Sequence, residues 1–334
     1  MNKKINPMRI VTLEEHISFP EITGKIPQER MPQQVAGMSS FMKRMEPRLS
    51  DITGQRLQSM DENGISTMVL SVTGEGADLL GPDESPAFAK EYNDLIASKI
   101  SAHPNRFKAF SHLPMTTPEA AALELERTVK SYQFCGALIN GLTNDEFLDD
   151  QKYAPILETA QRLDVPIYLH PGLPPKAVAE AYYSGLPKYS GMMLSIAGWG
   201  WHSETALHVL RLIVSGTFDK YPRLKLIIGH MGEMLPMMMA RCSRALSPGE
   251  AGINERTVTQ TLHDQVHITT SGLFTLPPLQ VAIDTFGIDN VLFSVDYPFS
   301  TNEQGKQYLE SMQLSTQDME KLAHGNADKL LKLK

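Results

Sequence analysis

The sequence predicts an α/β fold, a (β/α)8 barrel. Three observations carry that expectation: short β-branched runs alternate with amphipathic helical stretches, eight such runs can be counted, and polar residues with useful chemistry close several of them. Alternation of this kind is the pattern of βα units around a parallel sheet. The chain has 334 residues, a length that such barrels reach as one folding unit. No linker, low-complexity tract or repeat beyond the βα period interrupts residues 1–334, so a single domain is expected.

In chain order the expected strands are residues 10–13 (Ile-Val-Thr-Leu), 67–72 (Thr-Met-Val-Leu-Ser-Val), 106–113, 136–140 (Gly-Ala-Leu-Ile-Asn), 166–170 (Pro-Ile-Tyr-Leu-His), 224–229, 266–271 and 291–296 (Val-Leu-Phe-Ser-Val-Asp). Between them, residues 84–102, 117–131, 153–163, 204–214, 233–246 and 276–286 carry apolar residues at helical spacing. Two connections exceed simple loops. One runs from residue 17 to about 51 with Phe19, Phe41 and several methionines, and the other from 171 to about 202 with Tyr182, Tyr183, Met192, Met193, Trp199 and Trp201. Long connections at the C-terminal face of a barrel form lids or pocket walls. Packing over the barrel, or a subunit interface, is the alternative use of the same apolar side chains.

Composition excludes several classes. With 42% hydrophobic and 21% charged residues the chain has the profile of a globular enzyme rather than a fibrous or disordered protein. A formal net charge of -7 argues against nucleic-acid binding, which needs clustered Lys and Arg. Residues 1–8 lack an apolar segment, and no run approaches the ~20 residues that a spanning helix needs, so a cytoplasmic protein without a membrane partner is expected. Cys135 and Cys242 form no Cys-x-x-Cys pattern and read as small buried apolar residues.

Four residues then stand out. Glu14 and His16 follow the first strand, His170 closes the fifth and Asp296 the eighth. Alternation places Glu14 and His16 on one face and Glu15 on the other. A mixture of imidazole and carboxylate suits a divalent ion such as Zn2+ or Mn2+, with a position left for water or substrate. Any one of these residues alone is more simply a hydrogen-bonded structural group; their convergence on one barrel face makes them a candidate metal site. His230 ends the sixth strand, and Glu233 is expected in the first turn of the next helix, where it would orient the imidazole. Arg241 lies eight residues further on, on the face expected to be shared with Glu233, and is a candidate partner for an acidic substrate or a solvated helix residue. His202 ends the Trp-rich connection at the expected pocket mouth.

The motifs Leu13-Glu-Glu-His16, the segment from Asp51 to Met60, Leu169-His-Pro171, Gly229-His-Met-Gly-Glu233 with Arg241, Thr269-Thr-Ser-Gly272 and Phe293-Ser-Val-Asp-Tyr-Pro-Phe299 carry a resemblance over residues 8–332. The chain resembles the nonoxidative aromatic-acid decarboxylases of the amidohydrolase superfamily, the γ-resorcylate, 2,3-dihydroxybenzoate and 5-carboxyvanillate enzymes, which are related to aminocarboxymuconate semialdehyde decarboxylase. The resemblance implies a divalent metal on Glu14, His16, His170 and Asp296, with His230 and Glu233 flanking a small carboxylic acid. It also implies a homodimer or homotetramer. The chain departs from that pattern after His170, where Gly172-Leu-Pro-Pro175 replaces a stretch containing arginine and leaves a differently charged pocket wall.

Two enzymatic readings use these residues. In the first, Asp296 protonates the ring carbon of a phenolic acid, His230 stabilises charge on the phenolic oxygen, and carbon dioxide leaves. In the second, Asp296 is the general base in metal-assisted hydrolysis of a lactone, ester or amide. Glu14 stands where hydrolytic relatives carry the first His of a His-x-His pair, so the resemblance favours decarboxylation. A noncatalytic barrel is the third reading, and an intact ligand set argues against it.

Overall fold

A computed structural model describes residues 8–32, 38–74 and 76–333. Its strands are all parallel: β1 (Val11–Ile17), β2 (Thr67–Val72) and β3 (Phe107–Ala109) form one sheet, and β4 (Ser111–His112), β5 (Ala137–Asn140), β6 (Ile167–His170), β7 (Leu226–Ile228), β8 (Val266–Thr269) and β9 (Val291–Leu292) follow in order in a second. The expected third strand is thus split at Phe110, whose N–H bonds to the Leu70 carbonyl while that of Ser111 turns to Gly136. Counting β3 and β4 as one position gives the eight of a (β/α)8 barrel.

Strand alternation sorts the core into two clusters. Val11, Leu13, Val69, Phe110, Leu138, Tyr168, Ile227 and Leu292 pack together inside the ring, with Ala327 and Leu331 of the C-terminal segment beneath them. Their neighbours Met68, Leu70, Ile167, Leu169, Leu226 and Ile228 join the larger cluster under the helices. Burial on both faces explains why these strands read as continuous apolar runs.

β1 departs from simple alternation. Thr12 pairs with Met68 and Glu15 with Leu70, so Leu13 and Glu14 together oppose Val69. This β-bulge switches the parity of the strand. Leu13 fills the barrel interior, yet Glu14 and His16 also reach the site, which an unbroken period of two does not allow.

Where β9 meets β1, side chains replace a regular ladder. The Ser294 hydroxyl accepts from the Leu13 and Glu14 amides (3.1 and 2.8 Å) and donates to Glu15 (2.9 Å), while the His16 N–H reaches the Tyr297 carbonyl at 2.6 Å.

The expected helices appear at Ser85–Ile100, Pro118–Tyr132, Ala154–Leu163, Gly200–Val214, Leu235–Ala245 and Leu276–Phe286. Helices at Gln55–Asn63, Val258–Gln265 and Asn302–Ser311 were not anticipated, although the last two open on the capping boxes Thr257/Gln260 and Thr301/Gln304. Both long connections are largely helical, with Ser39–Ser50 in the first and Lys176–Tyr183 and Ser190–Ser195 in the second; residues 33–37 of the first lie outside the described residues. Phe19, read as either pocket lining or packing over the barrel, is fully buried in the outer core, the second of these. Cys135 is buried as expected, whereas Cys242 is only partly so.

Candidate metal centre and proton-transfer site

Glu14 is the hub of the site. Its Oε1 lies 3.4 Å from His170 Nε2 and 3.5 Å from His230 Nε2, and it is buried without a hydrogen-bond partner among the described residues. Its Oε2 is held from behind by the Tyr168 hydroxyl and, at 3.3 Å, by Thr269 Oγ1. Gly229 backs the same carboxylate; a Cβ there would sit 2.7 Å from Oε2. Burial alone would raise the pKa of Glu14, but His230, His170 and His16 outweigh it and hold the carboxyl well below the usual range.

The imidazoles converge from different strands. The rings of His16 and His170 lie edge to face with centroids 4.9 Å apart. The Nδ1–H of His170 donates to the Pro171 carbonyl at 2.8 Å, which leaves the Nε2 lone pair directed at Glu14 Oε1. Burial pushes His16 down to about 4, keeping it neutral. Arg56, inside the Asp51 to Met60 motif, supports His16 by donating to its carbonyl at 2.6 Å.

Asp296 completes the constellation from the loop after β9. Its Oδ1 is 3.2 Å from His16 Nε2, and its φ of 70° is left-handed. Burial, reinforced by Glu14, pushes its carboxyl up to about 8. Glu15 faces away from this cluster. It accepts from Ser294, Val295 and Tyr297, and burial, against those three donors, pushes its carboxyl up to about 7.

The donor chemistry fits a divalent ion. Glu14, His16 and His170 offer ligand atoms all within 4.8 Å of one another, and Asp296 stands beside His16. An unsatisfied buried carboxylate oxygen among imidazole nitrogens is costly unless a cation or proton meets it.

His230 and Glu233 meet, but not as expected. Glu233 is not in a helix; it lies in a turn in which His230, Met231, Gly232, Glu233 and Met234 all have positive φ, from 47° to 83°, before the helix starts at Leu235. Each non-glycine in that conformation costs roughly 1–2 kcal/mol, so the turn is held by what its side chains do. Glu233 Oε1 receives His230 Nδ1 at 2.7 Å and Oε2 receives His202 Nδ1 at 2.6 Å. Burial would lower the pKa of His230, but Glu14, Glu233 and Asp296 reverse this and push it up to about 10.

His202 therefore reaches the site through Glu233. Arg241 does not share a helix face with Glu233, since Glu233 precedes the helix. Arg241 is exposed, and among the described residues no hydrogen bond or ion pair joins it to the cluster. Aromatic walls come from both long connections: Phe41 stacks on Phe299, Phe299 meets His16 at 5.5 Å, and Trp201 meets His170 at 6.1 Å.

Sequence reasoning missed Tyr168, Thr269, Ser294 and Arg56. Tyr168 was within reach of it, since it precedes His170 by two residues and so shares its strand face.

Comparison with known proteins places the chain in a family. Residues 16–333 match the amidohydrolase family. A γ-resorcylate decarboxylase of Polaromonas sp. (strain JS666) is 36% identical over 337 residues, spanning 97% of this chain and 98% of the relative. The crystal structure of a 2,6-dihydroxybenzoate decarboxylase complexed with 2,6-dihydroxybenzoate is similar at 35% identity and a TM-score of 0.88, covering 98% of this chain and 100% of the other. A dihydroxybenzoic acid decarboxylase from Polaromonas sp. JS666, solved with bound manganese and the inhibitor 2-nitroresorcinol, is similar at 36% identity and a TM-score of 0.86, covering 98% and 97%. With the family match spanning residues 16–333, the chain belongs to the amidohydrolase family.

Proposed function

We propose that this protein is a metal-dependent nonoxidative decarboxylase of a hydroxyaromatic carboxylic acid. The observation that carries the reading is the convergence of Asp296, 3.2 Å from His16 Nε2, and the unsatisfied carboxylate oxygen of Glu14 on one cluster of imidazoles. Relatives that act on dihydroxybenzoates, one of them with manganese, support both the substrate class and Mn2+ over Zn2+.

In this reading Glu14, His16, His170 and Asp296 would hold the ion, which when bound would supply Lewis-acid chemistry toward an acidic substrate. Asp296 gives its proton to the ring carbon that bears the carboxylate. The bond from that carbon to the carboxyl group then breaks, its electron pair restores aromaticity, and carbon dioxide leaves. His230, cationic and oriented by Glu233, stabilises charge on the phenolic oxygen. Phe41, Phe299 and Trp201 supply apolar walls for the ring and limit water. Arg241 is left outside this assignment, and His202 acts through Glu233.

The proposal extends to self-association. Tyr182, Leu186, Tyr189, Met193, Leu194 and Trp199 are exposed along one connection, and clustered exposed apolar side chains are a mark of interaction surfaces. Cys135 and Cys242 are free, which suits a reducing, cytoplasmic setting. No helix among the described residues is long and apolar enough to cross a membrane.

The test is a screen of Mn2+-supplemented protein against hydroxybenzoates and simple lactones. Release of carbon dioxide from a hydroxybenzoate is expected. Acid release from a lactone, with no carbon dioxide, would replace this reading with hydrolysis.

A further inference from the structure

The reaction proposed above leaves Glu15, the buried carboxylate between Glu14 and His16, unused. Glu15 is fully buried, and both of its oxygens are occupied: Oε1 accepts from Ser294 Oγ at 2.9 Å and Val295 N at 3.0 Å, and Oε2 accepts from Tyr297 N at 3.0 Å. Val295 and Tyr297 are the chain neighbours of Asp296. One side chain therefore grips the peptide N–H groups on either side of the residue assigned to proton transfer.

That grip matters because the other bonds here hold carbonyls, Gly272 N–H to Val295, Ser300 N–H to Asp296 and His16 N–H to Tyr297 at 3.3, 2.9 and 2.6 Å, whereas among the described residues the Val295 and Tyr297 N–H groups are held by Glu15. The ladder of β9 ends at Leu292, and Asp296 sits at a φ of 70°, a conformation that a residue with a Cβ leaves readily unless its surroundings enforce it. The direction of a side chain follows from the backbone at its own Cα, so holding the amides before and after Asp296 sets where its carboxyl points. In the observed arrangement Oδ1 lies 3.2 Å from His16 Nε2. Behind it, Gly272 leaves room with nothing to spare, since a Cβ there would be 3.3 Å from Oδ2.

We infer that Glu15 is a positioning residue for Asp296, a carboxylate clamp that aims the proton-transferring group without touching substrate or metal. The inference rests on the reading of Asp296 as the proton carrier. Val295 N and Tyr297 N use different oxygens of Glu15, so both oxygens must act as acceptors. A glutamine there turns its NH2 toward one of those N–H groups, setting donor against donor and releasing one flank of Asp296.

The experiment is Glu15→Gln at saturating Mn2+ with 2,6-dihydroxybenzoate, measuring kcat per metal-occupied site, KM and the solvent deuterium isotope effect. The expected result is a kcat lower by roughly 10–100-fold, the range for residues that orient reacting groups, with KM within about 3-fold and a larger isotope effect as proton transfer becomes limiting. A loss of folded protein alone lowers total activity but leaves kcat per occupied site and the isotope effect at wild-type values. That pattern would overturn the inference. Glu15→Asp keeps the charge but falls short of spanning both amides, and it carries the test if the Gln variant does not fold. Failure of both to fold would make Glu15 a residue of the fold only. If Asp296→Asn retains activity, the reading of Asp296 fails whatever Glu15 does; if Asp296→Asn is inactive and Glu15→Gln is indistinguishable from wild type, only the clamp fails.

Discussion

Gly229→Ala is a perturbation whose consequence follows from one distance. Gly229 has φ −81°, so alanine meets no backbone penalty there. The added Cβ, however, would stand 2.7 Å from Glu14 Oε2 and 3.2 Å from both Glu14 Oε1 and Tyr168 Oη, where ordinary contact begins at 3.4 Å. The carboxylate must retreat by about 0.7 Å, several times the ~0.2 Å tolerance of metal–ligand distances. Tyr168 and Thr269 hold Oε2 from behind, so retreat also strains their hydrogen bonds. Loss of orientation on this scale lowers metal affinity by roughly 10–100-fold, or about 1.4–2.7 kcal/mol. Overpacking costs a further 1–3 kcal/mol or so of stability. Calorimetric titration of the metal-free protein with Mn2+, alongside urea unfolding of the same samples, separates the two effects. A folded Gly229→Ala protein with wild-type Mn2+ affinity would refute the placement of Glu14 at the centre of the metal site.

Tyr168→Phe removes the hydroxyl that donates to Glu14 Oε2 and leaves Thr269 alone on that oxygen; Mn2+ affinity should drop roughly 10-fold with little change in KM, checked by the same titration and by steady-state kinetics. Acid should destabilise the fold through histidines buried as acceptors. His208 and His112, pushed down by burial to about 3 and about 4, accept from Leu148 N and Ala77 N and are neutral when folded, so the unfolded chain binds the extra protons and stability falls as pH drops below the unfolded value of 6.5. Between pH 7 and pH 5 each should cost roughly 2 kcal/mol, and urea unfolding of His208→Gln should show a shallower pH slope than wild type; equal slopes would remove His208 from the account.

Strand-end logic anticipated the clustering of the candidate residues because a parallel barrel places polar ends of apolar runs on one face, and Glu14, His16, His170, His230 and Asp296 come together there. What remained hidden depended on irregular backbone. The bulge at Leu13 and Glu14 cannot be read from a pattern that a period of two also fits in outline. The left-handed turn from His230 to Met234 contains a single glycine, so its five positive φ values had no sequence marker and Glu233 was assigned to a helix. Arg241 was placed by extending that helix, and the placement failed with it. The partners of Glu14 at Tyr168 and Thr269, and the seam formed by Ser294 and Glu15, are contacts between residues more than a hundred positions apart, invisible to local periodicity.

The central claim is that Asp296 delivers the proton that releases carbon dioxide. The direct measurement is turnover, by Asp296→Asn and by wild type, of the hydroxybenzoate that releases most carbon dioxide in the substrate screen, both at saturating Mn2+ and normalised to bound metal. A rate lower by roughly 10²–10⁴-fold is expected, with Mn2+ still held by Glu14, His16 and His170. Carbon dioxide release by the variant within about 3-fold of wild type would contradict it.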